Sequence, residues 1–372
     1  MKNDKVRIAI VGLGFGAEFI PIYQRHPHSF LQAVCQRNRE KLEAVGNAFE
    51  IPHRYTDYKE LLNDPEIDAV HINSPIPDHA AMSIAALEAG KHVACTVPMA
   101  TSLEDCGRIV AAQIASGKKY MMMETVVYSR EFLYVKSLND KGLLGRIQFL
   151  RGAHHQQMAG WPGYWEGLPP MHYATHAVSP LLAIAGSPAE AVACVGSGSI
   201  SKELSSKHGS PFAVESALIR LKESALSAEI TRSLFETARE YVESFDIYGE
   251  HMSFEWTQVE GGQPVLFTGE KAERVEIPDF AHLLPENIRP FTTKGVYDSS
   301  ANKHLSFVQG SGHGGSHPHL AHQFIMSILE DKDPFPDVFT SANWTCVGLC
   351  AHQSAMNKGK WIELPGFTFG KS

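Results

Sequence analysis

The sequence lacks long hydrophobic runs and basic clusters, and the two absences exclude several classes of protein. No uninterrupted apolar stretch in its 372 residues approaches the roughly 18 residues that a membrane-spanning helix needs. The segment 2–5 leads into a strand pattern without a cleavage site, so we expect a cytoplasmic protein with no membrane partner. The formal net charge of −8 and the absence of a basic stretch argue against a nucleic-acid partner.

Cysteine is also scarce, whereas histidine is abundant. The six cysteines form no CxxC motif, which predicts buried, reduced thiols. Neutral imidazole is a common metal ligand, but the 19 histidines show no HExxH or Cys/His finger spacing. We therefore predict no metal, and histidines that act as hydrogen-bonding groups of a polar site. The histidines weighed as metal ligands are His154, His155, His172, His176, His313, His317, His319 and His322.

The mass of 41.0 kDa exceeds what one hydrophobic core usually supports, so two domains are expected. Alternating strand and helix patterns fill the first third of the chain. They predict a doubly wound parallel sheet, whose last strand ends near residue 125. We therefore predict domains of 1–125 and 126–372. The predicted elements after the second strand are Tyr58–Leu62, Ala69–Asn73, Ala80–Ala89, His92–Cys95, Leu103–Ser116 and Lys119–Glu124.

A buried-strand pattern, a glycine-rich loop and an amphipathic stretch follow one another at the N-terminus. Lys5–Val11 is the strand and Glu18–His26 the amphipathic stretch. Gly12 permits a tight turn, Gly14 lets the backbone approach a pyrophosphate, and the small Ala17 allows close helix–strand packing. A tight turn without a ligand is the weaker alternative, because strand, glycines and helix are in register. The predicted pyrophosphate loop is Gly12, Leu13, Gly14, Phe15, Gly16 and Ala17.

The end of the second strand should hold the adenosine ribose of the dinucleotide. Fingerprint spacing places Gln36 there, directly after Leu31–Cys35 and before Arg37 and Asn38. An acidic residue would accept both ribose hydroxyls and repel a 2′-phosphate, but a neutral glutamine beside an arginine does neither firmly. The predicted cofactor is NAD, and the sequence does not exclude NADP.

The later part of the chain shows strand patterns followed by helical ones. Phe212–Leu221, Ala225–Ser233 and Val242–Tyr248 are rich in β-formers between turn residues, which predicts a second sheet. Helical periodicity returns at Leu320–Leu329 and Ala342–Met356. We expect these two helices to pack back against the cofactor domain.

Four motifs, in this order and spacing, resemble the Gfo/Idh/MocA family (glucose–fructose oxidoreductase, inositol dehydrogenase, rhizopine catabolism) over essentially the whole chain. The resemblance implies an N-terminal Rossmann domain, a C-terminal α/β domain with an open, mostly antiparallel sheet, a small carbohydrate substrate, and a homodimer or homotetramer. The motifs are the glycine loop, Asp68–Val70 followed by Ser74–His79, Ala89–Val93 and Lys141–Ile147. The cofactor residues assigned beyond the glycine loop and ribose site are Asn73, Ser74, Pro75, His79, Thr96, Val97, Pro98 and Glu124.

The chain departs from the usual dehydrogenases of that family at two places. Where they commonly carry Glu-Lys-Pro, this sequence has 96–98 as Thr-Val-Pro, so the usual lysine is absent. Where they place an aspartate four residues before a histidine base, this sequence has His172 and His176. Because an imidazole titrates near neutral pH, His176 is the first candidate to accept the hydroxyl proton.

Three short motifs resemble the NAD-dependent glycosidase branch of the family. They are Met121–Glu124 followed by Tyr128, Tyr173–His176, and Gly312–Gly315. The resemblance implies oxidation of a ring hydroxyl at C3, elimination of the aglycone after loss of the C2 proton, addition of water and reduction by retained NADH. The implied base at the hydroxyl is His176 or Tyr128, and the implied acid/base at C2 is Tyr173 or His172.

Several candidates have a structural alternative. Tyr128 and Tyr173 could only pack their rings, and Glu124 could cap a helix instead of contacting the cofactor. The aromatic, glycine-rich segment 159–167 suits the apolar face of a sugar, but it could equally be a packed loop. The residues assigned to substrate binding are Trp161, Trp165, Glu166, His155 and His313.

These observations leave three hypotheses about function. The first is an NAD(P)-dependent oxidoreductase acting on a secondary hydroxyl, at C3, of a sugar, glycoside or cyclitol. The second is a glycoside hydrolase that recycles bound NAD without net redox change. The third is a catalytically silent dinucleotide sensor, which the altered positions Val97 and His172 permit and the retained His176 opposes.

Overall fold

A computed structural model describes residues 5–158, 165–259, 261–292 and 312–367 of the chain. The chain divides into two compact units, each described by itself below. The first unit comprises Met1–Met99, Gly107–Arg130 and Asp279–Ser341. The second unit comprises Ala100–Cys106, Glu131–Pro278 and Ala342–Ser372. The predicted boundary near residue 125 does not anticipate the return of 279–341 to the first unit.

The first unit contains a six-stranded, fully parallel sheet with the strand order β3-β2-β1-β4-β5-β6. This order belongs to the doubly wound dinucleotide-binding fold, so the predicted Rossmann sheet is confirmed. Every residue of β4 is buried, as expected for a parallel strand covered on both faces. The strands are β1 Val6–Val11, β2 Ser29–Cys35, β3 His53–Tyr55, β4 Ala69–Ile72, β5 His92–Cys95 and β6 Tyr120–Met122.

The helices begin where the sequence supplies caps or first-turn residues. Asn38 and Asp57 each accept a backbone N–H of the helix that follows, which satisfies donors that the helix itself leaves unpaired. The α-helices of the described residues are α1 Ile20–Arg25, α2 Arg39–Ala48, α3 Tyr58–Leu62, α4 His79–Glu88, α5 Leu103–Ser116, α6 Arg130–Asp140, α7 Thr175–Ala185, α8 Lys202–His208, α9 Gly312–Leu329 and α10 Val338–Met356. None of these helices is both long and apolar enough to cross a membrane.

The core of the first unit joins the parallel sheet to α9. Leu320 and Phe324 of α9 are fully buried in one cluster with Ile8 and Ile10 of β1. The prediction that Leu320–Leu329 packs against the cofactor domain is therefore confirmed. The cluster contains apolar side chains of α1 as well, so α9 packs with both β1 and α1, the elements on either side of the glycine loop.

The second unit contains a nine-stranded sheet with the order β14-β13-β12-β11-β7-β10-β9-β8-β15. Among its described strands β7 pairs with β10 in parallel, and the other neighbours are antiparallel. The predicted open, mostly antiparallel sheet is confirmed, and its three predicted strand segments correspond to β9, β10 and β11. The strands are β7 Ile147–His155, β8 Ala189–Ser197, β9 Val214–Leu221, β10 Ser227–Ser233, β11 Val242–Gly249, β12 Ser253–Glu255, β13 Val265–Thr268, β14 Lys271–Arg274 and β15 Ile362–Glu363.

The C-terminal helix α10 packs in the second unit from Ala342 onward. The Asn343 side chain accepts a hydrogen bond from the N–H of Ala189 and donates one to its carbonyl, and Ser354 accepts one from the N–H of Cys194. The prediction that Ala342–Met356 packs against the cofactor domain stays a prediction. Its helical period was right, and polar pairs with β8, which periodicity does not reveal, determine its partner in the second unit.

The six cysteines are free and buried, as predicted from their scattered spacing. Burial raises the pKa of the Cys35, Cys194 and Cys350 thiols, so these groups are protonated at neutral pH. These three thiols fill space in the cores and are not nucleophilic thiolates.

Candidate functional site

The glycine loop of the first unit has the geometry that a dinucleotide requires. Gly12 has φ +87°, and a Cβ there would lie 2.4 Å from the carbonyl oxygen of Asn73, so only glycine fits. A Cβ on Gly16 would lie 2.9 Å from the Ile10 side chain. At Gly14 no described atom beyond its chain neighbours comes within 4 Å of a Cβ position. The backbone of Gly14 is therefore the approachable part of the loop.

The segment after the loop differs from the predicted helix over Glu18–His26. A 3-10 helix covers Phe15–Phe19, and α1 begins only at Ile20. Pro21 lies in the first turn of α1, where its missing N–H is tolerated, and this favours a new helix start at that point. Glu18 consequently lies buried in the 3-10 helix and is 5% exposed.

The predicted ribose position lies at the carboxyl end of β2. Gln36 follows β2 directly, and its N–H donates to the carbonyl of Tyr55 at 3.0 Å. Asn38 accepts from the N–H of Lys41 at 2.9 Å, so its side chain serves as the cap of α2. Arg37 is exposed beside them. None of these three side chains is the acidic group that would repel a 2′-phosphate.

His79 connects the two loops that follow β4 and β5. Its Nδ1 lies 2.7 Å from the carbonyl oxygen of Pro98, and its Nε2 lies 3.0 Å from that of Ser74 and 3.3 Å from the Thr96 hydroxyl. Burial alone would lower the pKa of His79, but the Cys95 sulfur and the two carbonyls raise it to about 9. Because a carbonyl can only accept, both contacts are satisfied when the imidazole is protonated.

The first unit therefore brings most of its predicted cofactor residues to one edge of the sheet. The glycine loop follows β1, Gln36 follows β2, Asn73 and Ser74 follow β4, and 96–98 follow β5. The carboxyl edge of a doubly wound sheet is where dinucleotides bind. The open backbone at Gly14 and this arrangement fit a bound NAD.

Two other predicted residues of this unit have structural partners. A carboxylate oxygen of the fully buried Glu124 accepts from the N–H of Val126 at 3.1 Å, which supports the capping alternative. The Tyr128 hydroxyl donates to the carbonyl of Phe335 at 2.7 Å, and burial raises its pKa. A phenol whose pKa is raised stays protonated at neutral pH, and its proton is donated to a backbone carbonyl, which supports the packing alternative for Tyr128.

In the second unit, His176 belongs to a compact group of titratable side chains, named here the His176 cluster: His154, Tyr173, His176, Tyr241 and Glu243. The Nε2 of His176 lies 3.3 Å from the Tyr173 hydroxyl and 3.5 Å from Glu243 Oε1. The Nε2 of His154 lies 3.8 Å from the same carboxylate oxygen, and the Tyr241 hydroxyl donates to it. One carboxylate thus adjoins two imidazoles and one phenol.

The sheet register places the carboxylate beside the histidines. Glu243 on β11 is the cross-strand partner of His154 on β7, and both lie near the strand ends. Tyr173 ends a 3-10 helix over Pro170–Tyr173, and His176 lies in the first turn of α7. A Cβ on Gly152 of β7 would lie 2.3 Å from the carbonyl of Ala177. The glycine therefore allows α7 to approach the sheet closely at the cluster.

A fully buried arginine supports the cluster from within β10. Arg232 donates to the carbonyls of Tyr173 at 3.0 Å and His154 at 2.9 Å. It also donates to the Gln156 side chain at 2.6 Å, and its guanidinium lies 5.5 Å from the centre of the Tyr173 ring. Its planar, multiply hydrogen-bonding head fixes the backbone that carries two members of the cluster.

Glu243, Tyr241 and Arg232 are not among the residues predicted from the sequence, and His154 is predicted there only as one of the histidines weighed as metal ligands. The sequence does contain one signal of such a residue, because the charged Arg232 lies inside the β pattern Ile230–Ser233. That signal marks a buried polar partner without identifying it, since cross-strand register is invisible before the sheet is assembled.

His172 does not share the described contacts of the His176 cluster. Its ring packs edge-on against His352 of α10, with centroids 5.4 Å apart. His352 in turn bonds the buried Glu215 at 3.0 Å. Burial and then His352 lower the pKa of His172 to about 3, so it is neutral and weakly basic at pH 7. This environment argues against an acid/base role for His172.

The predicted substrate residues of the second unit have different described partners. His155 is the last residue of β7 and follows His154 of the His176 cluster directly in sequence. Its Nδ1 lies 2.8 Å from the Ser233 hydroxyl. Trp165 is 6% exposed and stacks on His208 at 4.8 Å, which supports the packing alternative for its loop. Glu166 is exposed and forms an ion pair with Lys207. Trp161 lies outside the described residues.

His313 lies in the first unit, beside the glycine loop. Its ring packs edge-on against Phe15 with centroids 5.5 Å apart. His319 and His322 of α9 lie in the same unit, and the Nδ1 of His322 is 2.9 Å from the Nε2 of His26. Within the described ranges, no three His, Cys, Asp or Glu side chains are arranged to hold a metal ion.

Residues 6–124 match the model of a family described as an oxidoreductase family with an NAD-binding Rossmann fold, Gfo/Idh/MocA. The match covers the complete parallel sheet and every loop predicted to hold the dinucleotide. The first unit therefore contains an NAD-binding Rossmann fold, as the glycine spacing predicts.

Proteins similar over the whole length include two from Shewanella. A glycosyl hydrolase family 109 protein of Shewanella pealeana is 24% identical over 403 aligned residues, which cover 99% of this chain and 87% of that protein. An alpha-N-acetylgalactosaminidase of Shewanella oneidensis is also 24% identical, with coverage of 99% and 86%.

Solved structures share the fold. An NAD-binding oxidoreductase from Klebsiella pneumoniae superposes with a TM-score of 0.78 at 18% identity, covering 98% of this chain and all of the other. A levoglucosan dehydrogenase in complex with NADH and levoglucosan gives a TM-score of 0.74 at 19% identity, with coverage of 97% and 100%.

Proposed function

We propose that this protein uses NAD to oxidise a secondary hydroxyl, at C3, of a sugar, glycoside or cyclitol. The observation that carries the proposal is the His176 cluster, a buried proton-transfer group in the same chain as an NAD-binding oxidoreductase domain. The names of the relatives support a carbohydrate substrate, because both are glycosidases and one structural neighbour is a sugar dehydrogenase complex.

The chemistry requires a hydride acceptor and a proton acceptor. NAD, when bound, supplies the hydride acceptor. His176 is the proposed proton acceptor, because its Nε2 adjoins both the Tyr173 hydroxyl and the Glu243 carboxylate. A carboxylate close to an imidazole favours the protonated ring, so Glu243 stabilises the charge that His176 gains.

The exposure of the cluster members suggests the order of proton movement. His176 is 2% exposed, whereas Tyr173 is 8% exposed and its hydroxyl lies 3.3 Å from the histidine. We infer that the substrate proton moves to the Tyr173 oxygen while the Tyr173 proton moves to His176. Arg232 holds Tyr173 through the backbone carbonyl, so the two side chains stay aligned.

A specific observation favours redox-neutral glycoside cleavage as the second candidate. The glycosidase relatives match 99% of the chain, and 96–98 read Thr-Val-Pro where lysine-dependent dehydrogenases carry Glu-Lys-Pro. After oxidation at C3, the C2 proton and then the aglycone would be lost. Addition of water and return of the hydride to the sugar would then leave NAD unchanged. The first oxidation is common to both candidates.

The test uses Tyr173→Phe and His176→Gln, with Tyr248→Phe as the matched control. The Tyr248 hydroxyl on β11 donates a hydrogen bond to the Glu255 carboxylate on β12 at 3.1 Å. The control therefore removes a hydrogen-bonded tyrosine hydroxyl outside the His176 cluster. We expect the two cluster variants to lose roughly 10²–10⁴-fold in the rate of hydride transfer and to keep their NAD affinity. Unchanged rates in both variants, or an equal loss in the control, would remove the His176 cluster from the mechanism.

A further inference from the structure

Gln156 follows β7 directly and carries a buried amide, with 1% of the residue exposed. Its backbone N–H donates to the carbonyl of Ser233 at 3.1 Å, so the contact with β10 continues past the last residue of β7. Side chains alternate between the two faces of an extended strand. Gln156 therefore lies on the same face of the sheet as His154, which is a member of the His176 cluster.

A single guanidinium fixes the orientation of this amide. Arg232 donates to Gln156 Oε1 at 2.6 Å. A guanidinium only donates, so the atom that faces it must be the oxygen, and the Nε2 group lies on the other side of the amide. The same guanidinium donates to the carbonyls of His154 and Tyr173, at 2.9 and 3.0 Å. The amide and two residues of the cluster thus share one rigid support.

The Nε2 group of Gln156 has no hydrogen-bond partner within the residues that the structure describes. Turning the amide would not supply one, because its N–H groups would then face the N–H groups of Arg232. A buried donor without an acceptor destabilises a protein, and such groups are nearly always bonded to the chain, to water or to a ligand. Two N–H bonds of fixed direction therefore require an acceptor that the described part of the chain does not supply.

A carbohydrate held by the His176 cluster offers that acceptor. A sugar ring or cyclitol carries an oxygen on most ring carbons, so the hydroxyl that is oxidised has neighbouring oxygens. His176 is 2% exposed, a burial similar to that of Gln156. A substrate hydroxyl that reaches Tyr173 and His176 brings its neighbouring oxygens to the same depth. A few precisely placed polar groups of this kind orient ligands in otherwise apolar pockets.

We propose that Gln156 is a specificity-determining residue, whose Nε2 group donates a hydrogen bond to the substrate oxygen on a ring carbon next to the oxidised C3, at C2 or C4. The proposal rests on the proposed function, because its ligand is the sugar, glycoside or cyclitol named there. The amide does not titrate, so it selects the substrate and takes no part in proton transfer.

The experiment measures sugar binding to the full-length protein by calorimetry in the presence of NADH. The reduced cofactor cannot accept a hydride, so binding is measured without turnover. The probes are the methyl glycosides of glucose, galactose and mannose, their 2-acetamido forms, and the analogues that lack the hydroxyl at C2, C4 or C6. Gln156→Met keeps the bulk of the side chain and removes the donor. Gln113→Met is the matched control, since the Gln113 amide already donates to the carbonyl of Lys118 at 2.8 Å.

We expect Gln156→Met to weaken binding of the parent glycoside about tenfold, the effect of one lost hydrogen bond. It should have no further effect on the one analogue that lacks the recognised oxygen, at C2 or C4, and Gln113→Met should bind every probe as the wild type does.

Two results would overturn the proposal and leave the proposed function standing. An equal loss for the parent and for every deoxy analogue would mean that Gln156 acts only as a support of Arg232. Undiminished binding in Gln156→Met would mean that the amide bonds a water molecule. A wild-type protein that binds no probe of the panel would contradict the proposed function itself, and the proposal would fall with it.

A second variant separates recognition from folding, because Gln156→Met also removes the oxygen that Arg232 contacts. Gln156→Glu keeps that oxygen and has no N–H group, and thermal melts of both variants show whether they fold. A carbon-bound fluorine does not donate either, so this variant is compared on hydroxyl and deoxyfluoro forms of the sugar. We expect its preference for the hydroxyl form, at C2 or C4, to exceed that of the wild type about tenfold. Equal preferences at both carbons would overturn the proposal.

Discussion

A single carboxylate, Glu243, distinguishes the proposed proton-transfer site of this chain. Gfo/Idh/MocA dehydrogenases place an aspartate four residues before the histidine, and this chain has His172 there, turned to His352. Glu243 approaches His176 from β11 instead, at 3.5 Å. The carboxylate thus comes from a different element, which no reading of the local motif would find.

The Glu243→Gln variant tests this substitution of roles. We expect kcat to fall roughly tenfold to hundredfold, because the protonated His176 loses its neighbouring anion, while NAD affinity is unchanged. Glu255→Gln is the matched control, since Glu255 also accepts from a tyrosine in this sheet. Steady-state kinetics of both variants decide the point. Equal losses would mean a general effect on the sheet.

The glycines at 12 and 14 should respond differently to alanine. Gly14→Ala should leave the thermal stability of the protein without cofactor unchanged, because no described atom occupies that space, and weaken NAD binding at least about tenfold. Gly12→Ala should also lower the stability, because the Cβ meets Asn73. Thermal melts and calorimetric NAD titrations of both variants test this. Undiminished NAD affinity in Gly14→Ala would place the pyrophosphate elsewhere.

His79 makes the first unit sensitive to alkaline pH. Its folded pKa of about 9 lies above the ordinary 6.5, so its stabilising contribution is complete below 6.5 and is lost as pH rises through 9. We expect this loss to be on the order of 1–3 kcal/mol. Urea melts from pH 6 to 10 should show a smaller decline in His79→Asn than in the wild type. Parallel declines would mean that His79 is neutral in the folded state.

At the level of elements, the strands were predicted well and the helix boundaries less well. The alternating β-formers of β9, β10 and β11 and the apolar runs of β1 and β4 carry their own periodicity, so sequence located them. The 3-10 helix at Phe15–Phe19 and the docking of α10 depend on Pro21 and on side-chain pairs with β8. Such partners become visible only after the chain has folded.

The position of α10 gives a prediction at this scale. A Cβ on Gly348 would lie 2.2 Å from the carbonyl of Met171, in the 3-10 helix that ends at Tyr173. Gly348→Ala should therefore destabilise the protein by about 1–3 kcal/mol and lower kcat through Tyr173. Gly366→Ala, with open space around it, is the control. A neutral Gly348→Ala would show that α10 can shift without affecting the site.

At the scale of the whole molecule, the two units carry different parts of the proposed chemistry. The first supplies the NAD site, whose glycine loop and parallel sheet the sequence predicts correctly. The second supplies the His176 cluster, of which the sequence indicated His176 and Tyr173 but not Glu243, nor the Arg232 that supports it. The predicted homodimer or homotetramer stays a prediction, and light scattering of the purified protein would measure it.

We propose that this chain transfers hydride from C3 of a carbohydrate to NAD. The most direct measurement is a single-turnover record of the reduced-nicotinamide absorbance band after NAD-loaded protein is mixed with aryl glycosides and free sugars, in C3-protio and C3-deuterio forms. We predict that the band appears with at least one substrate and more slowly with its deuterated form. It would persist for a net dehydrogenase and decay with aglycone release for a glycosidase. NAD binding without any such band across the panel would contradict the account and leave a dinucleotide sensor.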